Sequence, residues 1–324
     1  MAEAHETRGD YRAAAICFDA LAEVSGTVEA LRALARMERK CRAYGRAIAA
    51  LLTARAHAPD ALEPLRELAE TAMLAQDFAL GQQCWAEIID RLGRQAHSYA
   101  VLRALACHRQ LGDEEGAQAL LGRSAAILQA HLPPPATRML CEGVRPLRPG
   151  LYMITGNNGT GKTTLGHFLQ ALGDPVIDAD TEIAFFSRGA FTSEVRHDLK
   201  ARACPEAPEA PVVWIWDRAR FDRVRACATG CATFLIGGNG LLAAGFAPEA
   251  VEVFHLVAPD DVIAARLSKR DSVSHRVGSH GYRAALRRNA RAATPPYRAR
   301  ILRSDRPVWE IGAAVHAPPP DPQA

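Results

Sequence analysis

Gly156-Asn157-Asn158-Gly159-Thr160-Gly161-Lys162-Thr163-Thr164 decides how the second half of this 324-residue chain is read. The stretch satisfies the spacing G-x-x-x-x-G-K-[ST]. The apolar run Gly150-Leu151-Tyr152-Met153-Ile154-Thr155 precedes it as a short buried strand, and a helical pattern follows from Leu165. A glycine loop between strand and helix can turn successive main-chain amides toward one point, where the helix terminus adds partial positive charge. A polyphosphate suits such a point. All nine residues are expected to line it, with Lys162 on the outer phosphates and the Thr163 hydroxyl on magnesium, so ATP and Mg2+ are the expected cofactors.

Downstream, apolar runs alternate with helical patterns: Pro175-Val176-Ile177-Asp178, Val212-Val213-Trp214-Ile215-Trp216-Asp217, Thr233-Phe234-Leu235-Ile236-Gly237, and Val251 to Val257. With the strand before the loop they predict a five-stranded parallel sheet covered by helices on both faces, with ligands at the carboxyl ends of the strands. Each candidate polar group sits at such an end. Asp217, which ends an apolar strand, is a candidate for the magnesium second shell. Asp178 and Asp180 can equally be cap and turn residues before Thr181. Gly237 and Gly238 allow a substrate close to the backbone, or simply make a tight turn.

The run from Val212 ends Asp217-Arg218, whereas the large motor and transporter ATPases need an Asp-Glu pair there. An Asn-Lys-x-Asp guanine-reading motif and a Leu-Ser-Gly-Gly signature are both missing from the sequence. The pattern leans away from hydrolysis and toward transfer of a phosphoryl group to a substrate.

At this point the chain resembles the small P-loop kinases of the shikimate, gluconate and adenylate kinase group, and within it bacterial kinase-like ATP-binding proteins. The resemblance spans residues 148–316. It rests on the loop, on Ile177-Asp178-Ala179-Asp180, on Leu235-Ile236-Gly237-Gly238-Asn239-Gly240, and on Pro259-Asp260-Asp261 running to Arg266-Leu267-Ser268-Lys269-Arg270. It implies that Asp178 assists magnesium or the attacking hydroxyl and that Asp180 binds substrate. It also implies that Arg266, Arg270 and Arg276 belong to a lid that stabilises the transferred group. The module between the second and third strands, within residues 185–211, carries Arg188, Arg196, His197 and Lys200, of which Arg196 is the candidate for an anionic substrate.

From Arg266 to Arg306 there are 12 basic and two acidic residues. Arg287, Arg288 and Arg291 fit a solvated helix face better than a nucleic-acid surface, because only Tyr282 and Tyr297 interleave them.

The first half reads differently. Ala14, Ala47, Gly81 and Ala117 recur at spacings of 33, 34 and 36, each followed four positions later by a large apolar residue: Phe18, Leu51, Trp85 and Leu121. The preceding turns rhyme as Gly9-Asp10-Tyr11, Arg42-Ala43-Tyr44, Gln76-Asp77-Phe78 and Gly112-Asp113-Glu114. A period near 34 of this kind resembles the tetratricopeptide repeat, with Pro59 closing a repeat. That family implies a protein partner and no chemistry of its own. His57, His97 and His108 are read as surface or core histidines.

Leu132-Pro133-Pro134-Pro135-Ala136-Thr137 predicts a stiff extended spacer. The expected organisation is therefore a tetratricopeptide-like all-α array over residues 1–131, a linker over 132–147, an α/β P-loop domain over 148–316 and a disordered tail over 317–324.

Composition narrows the rest. The chain is 48% hydrophobic and 23% charged with a net charge of +3, which argues against a dedicated polyanion binder. Up to His131 there are 15 basic and 17 acidic residues, leaving 24 and 19 for the remainder. Eight cysteines without Cys-x-x-Cys spacing are expected to be reduced and mostly buried. No apolar run is long enough to cross a bilayer, so a cytoplasmic, membrane-free protein is expected. The expected activity is an ATP- and Mg-dependent kinase acting on a small molecule or nucleotide. The alternatives are a nucleotide-switched interaction module with little turnover and a polynucleotide 5′-kinase.

Overall fold

The computed structural model describes residues 2, 5, 11–188, 212–237, 246–269 and 298–318. The chain divides into two compact units, Met1–Thr137 and Arg138–Ala324.

The first unit is a chain of helices, each packed on the next: α1 (Tyr11–Ser25), α2 (Val28–Lys40), α3 (Tyr44–His57), α4 (Leu62–Leu74), α5 (Phe78–Leu92), α6 (Ser98–Gln110), α7 (Glu114–Arg123) and α8 (Ala125–His131). The sequence period is visible as a repeated turn. Arg42, Gln76 and Gly112 all take the left-handed backbone region, at φ of 60°, 59° and 71°. At each turn the following amide reaches back five residues, from Ala43 to Glu38, Asp77 to Ala72 and Asp113 to His108, at 2.9 Å every time. That bond is the signature of a helix closed by a left-handed residue.

The small positions are close crossings. Ala14, Ala47 and Ala117 are fully buried. A Cβ on Gly81 would lie 3.1 Å from Cys107 Sγ and 3.3 Å from Met73 Sδ. Phe18, Leu51, Trp85 and Leu121 fill the spaces beside them and are buried in turn. Neighbouring repeats are also tied by polar pairs about one period apart. Arg32 Nη2 donates to Glu67 at 2.8 Å, Arg55 to Glu87 at 2.5 Å, and Tyr99 Oη to Glu70 at 2.6 Å. This is a tetratricopeptide-like helical array in which one local solution is repeated.

The prolines after His131 do not form a spacer. Leu132 is extended, and a ninth helix, α9 (Pro134–Glu142), begins directly on Pro134. Proline is compatible with a first helical turn because the amide it lacks has no intrahelical partner there.

The second unit is built on a five-stranded sheet from β1 (Gly150–Gly156), β2 (Val176–Asp178), β5 (Ala232–Ile236), β6 (Glu252–Val257) and β7 (Arg300–Arg303). Its order is β2-β5-β1-β6-β7 and every pairing is parallel. The five-stranded parallel sheet is as expected, but its membership is not. The strand β4 (Val212–Trp216) pairs antiparallel with β3 (Ala184–Arg188) in a separate two-stranded ribbon. The fifth place is taken by β7, a four-residue edge strand between two arginines in the basic stretch.

Alternation along β1 sends its side chains to two cores. Tyr152 and Ile154 pack with Leu165 and Leu169 of α10 (Lys162–Leu172) and with Ile311 and Val315 of α14 (Val308–His316). Leu151 and Met153 pack on the other face with Ile183, Phe246 and Phe221 of α12 (Arg218–Cys227). A short helix, α11 (Ala179–Glu182), follows β2, and α13 (Asp260–Ser268) follows β6. Arg300 joins β7 to its surroundings. Its guanidinium lies 4.7 Å from the centre of the Phe254 ring, and it donates to Glu252 Oε2 at 2.9 Å and to the Ala314 and Ala317 carbonyls that end α14.

The thiols correct another expectation. Of the seven described cysteines, all free, Cys84 and Cys107 are buried, Cys17 is half-buried, and Cys41, Cys141, Cys227 and Cys231 are exposed. Burial pushes the Cys84 thiol up to about 11 and that of Cys107 to about 12. Among the described residues no helix is long and apolar enough to cross a membrane.

Candidate functional site: the glycine loop at the sheet edge

The strand order turns about β1. The chain leaves β1 for one side of the sheet, fills β2 and then β5, and returns to the other side of β1 for β6 and β7. A crevice opens at the carboxyl ends of strands where the order reverses in this way. The loop of residues 156–161 lies there, at the end of β1 and the start of α10.

Its glycines are set by contacts as well as by dihedrals. Gly156 has φ 143°, and a Cβ on it would meet Leu256 O at 2.6 Å and Thr160 Oγ1 at 2.8 Å. Gly159 has φ 90° and rests on α13, where a Cβ would stand 3.0 Å from Ile263 Cγ2 and 3.2 Å from Leu267 Cγ. Gly161, at φ 86°, is the left-handed residue preceding α10. Inside the loop, the Thr160 amide and hydroxyl both donate to Asn157 O, at 3.3 and 2.8 Å.

The N-cap position of α10 is Gly161, which has no side chain to cap it, and no acidic residue stands in the first turn of the helix. The first amides of a helix carry partial positive charge and need acceptors from outside it. Lys162 Nζ curls over the loop, donating to Gly156 O at 2.9 Å and Asn157 O at 3.0 Å. Both bonds are to neutral carbonyls. Thr163 and Thr164 are exposed on the first turn, Asn158 is half-buried, and Asn157 and Thr160 are buried as the loop's frame.

The remaining candidates divide. Half-buried Asp178 ends β2 and is in register with Ile236, which is itself in register with Ile154 of β1. Two strand spacings, about 10 Å, therefore separate its backbone from β1 along the same edge. Gly237 lies between them, buried, and its amide donates to Ile154 O at 3.0 Å. Asp180 follows on α11.

Asp217, the rival for the metal, stands at the end of the β3-β4 ribbon, where its amide donates to Ile183 O at 3.2 Å. Its carboxylate is engaged as the N-cap of α12, accepting the Arg220 amide at 3.2 Å and pairing with Arg220 Nε at 3.3 Å. Arg266 is on α13 beside the loop. It donates to Ser304 O at 2.6 Å, with longer contacts to Ser304 Oγ at 3.5 Å and Gly159 O at 3.4 Å. Arg196, Gly238, Arg270 and Arg276 lie outside the described residues, as do His197, Lys200, Tyr282, Arg287, Arg288, Arg291 and Tyr297.

Sequence reasoning missed Ser304. The one signal for it was Ile301-Leu302, two apolar residues inside the basic stretch.

No family model matches the chain, and no curated protein matches it. Among solved structures, a mutant O-GlcNAc transferase from Thermobaculum terrenum is similar at 13% identity and a TM-score of 0.33. That alignment covers 79% of this chain and 44% of the other, so the chain spans less than half the length of that protein. Fold and loop together describe a protein made of a tetratricopeptide-like helical array and a parallel α/β unit with a glycine loop at its carboxyl edge.

Proposed function

We propose that the second unit is an ATP- and Mg2+-dependent phosphotransferase of the P-loop kinase type, acting on a small molecule or nucleotide. The observation that carries this reading is the glycine loop ahead of an uncapped helix, at the point where the strand order turns. An anion there would meet main-chain donors and a lysine. The fit is chemical as well as spatial. A Cβ on Gly156 would clash with Leu256 O at 2.6 Å, and one on Gly159 would crowd Ile263 Cγ2 at 3.0 Å, so the loop packs tightly on its surroundings as glycines.

In this reading the loop amides and Lys162 hold the phosphates, and the exposed Thr163 hydroxyl is the metal ligand from the loop. Mg2+ would supply charge neutralisation on the phosphate oxygens. Asp178 is the carboxylate on the loop's own sheet edge. It is assigned to orient the acceptor or the metal, in preference to Asp217, whose oxygens serve α12. Asp180 and Gly237 follow on the acceptor side. Arg266 supports the loop, and the lid role falls to Arg270 and Arg276. The helical array is assigned to a protein partner, and a cytoplasmic setting is consistent with these ligands.

Transfer from labelled ATP to a panel of metabolite and nucleotide acceptors tests the reading. Transfer lost in both Lys162→Ala and Asp178→Asn is the expected result, and full activity in Asp178→Asn removes that residue from the mechanism. The second reading, a nucleotide-switched interaction module, draws on the capping role of Asp217, which leaves one carboxylate fewer for chemistry. ATP binding without transfer to any acceptor, together with nucleotide-dependent capture of a protein by the array, would favour it.

A further inference from the structure

We infer that Arg266 is a positioning residue for the phosphate loop, and that through it the segment following β7 sets the loop's shape. The inference rests on the proposed phosphate site and adds a control point to it. The guanidinium spans two chain regions: Gly159 O on one side, and Ser304 O and Oγ on the other. Ser304 is itself fixed, since its amide donates to Val257 O at 2.7 Å at the end of β6 and the residue is 1% exposed.

Gly159 lies against α13, where a Cβ would stand 3.0 Å from Ile263 Cγ2 and 3.2 Å from Leu267 Cγ. One helix thus supplies the loop with an apolar floor and, on the same turn, the arginine that ties it to Ser304, just past β7. These partners of Arg266 are neutral acceptors, so its charge is not cancelled by them. Its Nη1 lies 3.5 Å from where a Cβ on Gly161 would stand, directly behind the start of α10. A positive charge there strengthens the field at the helix terminus without touching a phosphate. Lysine keeps the charge but has no planar fork with which to hold both carbonyls.

Two measurements on the full-length chain test this. The first is hydrogen exchange of the ligand-free protein. Arg266→Ala should speed exchange in peptides covering residues 157–162 and 303–306, leaving β1 and β5 protected as in the wild type. Unchanged exchange in the loop overturns the inference, whether or not the protein binds ATP. The second is binding of tripolyphosphate and of MgATP by calorimetry. Arg266→Ala should weaken both by the same factor, about tenfold, with Arg266→Lys recovering part of the loss. Loss confined to MgATP would mean that Arg266 touches the nucleoside, and the inference fails. Should the wild-type chain bind neither probe, the phosphotransferase reading fails and the exchange result still decides whether Arg266 shapes the loop.

Discussion

The two units are stabilised by contacts of different reach. In the helical array each turn, small residue and large residue is answered about 34 positions later by the same device. Its structure is a short-range rule applied repeatedly, as in other stacked repeats. In the α/β unit the central strand pairs with β5 and β6, whose residues lie 80 to 100 positions away in register, as Leu151 with Thr233 and Tyr152 with Glu252. A repeat can be damaged locally. The sheet carries its loop only when distant segments have all assembled, so injury at its centre should spread through the whole unit.

The largest expected effect breaks the array. Trp85 is 1% exposed and meets Tyr99 edge-on at 5.8 Å, so Trp85→Ala should cost about 4 kcal/mol. Calorimetry of the full chain should show the array's transition lowered and that of the α/β unit unmoved. A matching loss in both would make the two units one cooperative body.

Next is Gly156→Ala. Its Cβ would meet a main-chain oxygen at 2.6 Å from a backbone angle that favours glycine, which should cost about 3 kcal/mol in the α/β unit alone. A fully stable variant would contradict the described loop. A smaller effect sharpens the repeat rule in the opposite direction. Gln76 is exposed and holds a left-handed angle that Gly112 holds at the matching turn, so Gln76→Gly should stabilise the array by about 0.5 kcal/mol. The measurement is the denaturant midpoint.

Asp113 provides the mildest probe. The Gly116 amide and then the His108 side chain hold its carboxyl below the usual carboxylate range. A depressed folded value means that its contribution is present above the unfolded pKa and is lost as pH falls through the folded one. Thermal melts below about pH 4 should show the wild type losing stability that Asp113→Ala lacks at every pH. Parallel pH curves for the two proteins would remove Asp113 from the array's acid response.

What the sequence disclosed follows the same division. The array was legible because Ala47, Gly81 and Ala117 and their turns repeat a pattern that needs no distant information. The turn of the glycine loop was legible because its glycines fall within nine consecutive residues. The sheet's edge was not. Val212–Trp216 looks like any core strand, and only its pairing with Ala184–Arg188 removes it from the sheet. Arg300–Arg303 looks like charge, and only β6 beside it makes it a strand. The same ambiguity affected the carboxylates, since a strand-ending Asp217 and a strand-ending Asp178 read alike until one is seen capping α12. The prolines at 133–135 were read for what proline forbids inside a helix, whereas they stand where it is tolerated, at a helix start.

The central claim is that the loop after β1 is a triphosphate site, and titration of the full chain with MgATP tests it most directly. The account predicts saturable binding by the wild type and at least about a hundredfold loss in Lys162→Ala, with the melting transition of the variant's array unchanged. Equal affinity in the two proteins, or no binding by the wild type, would contradict it.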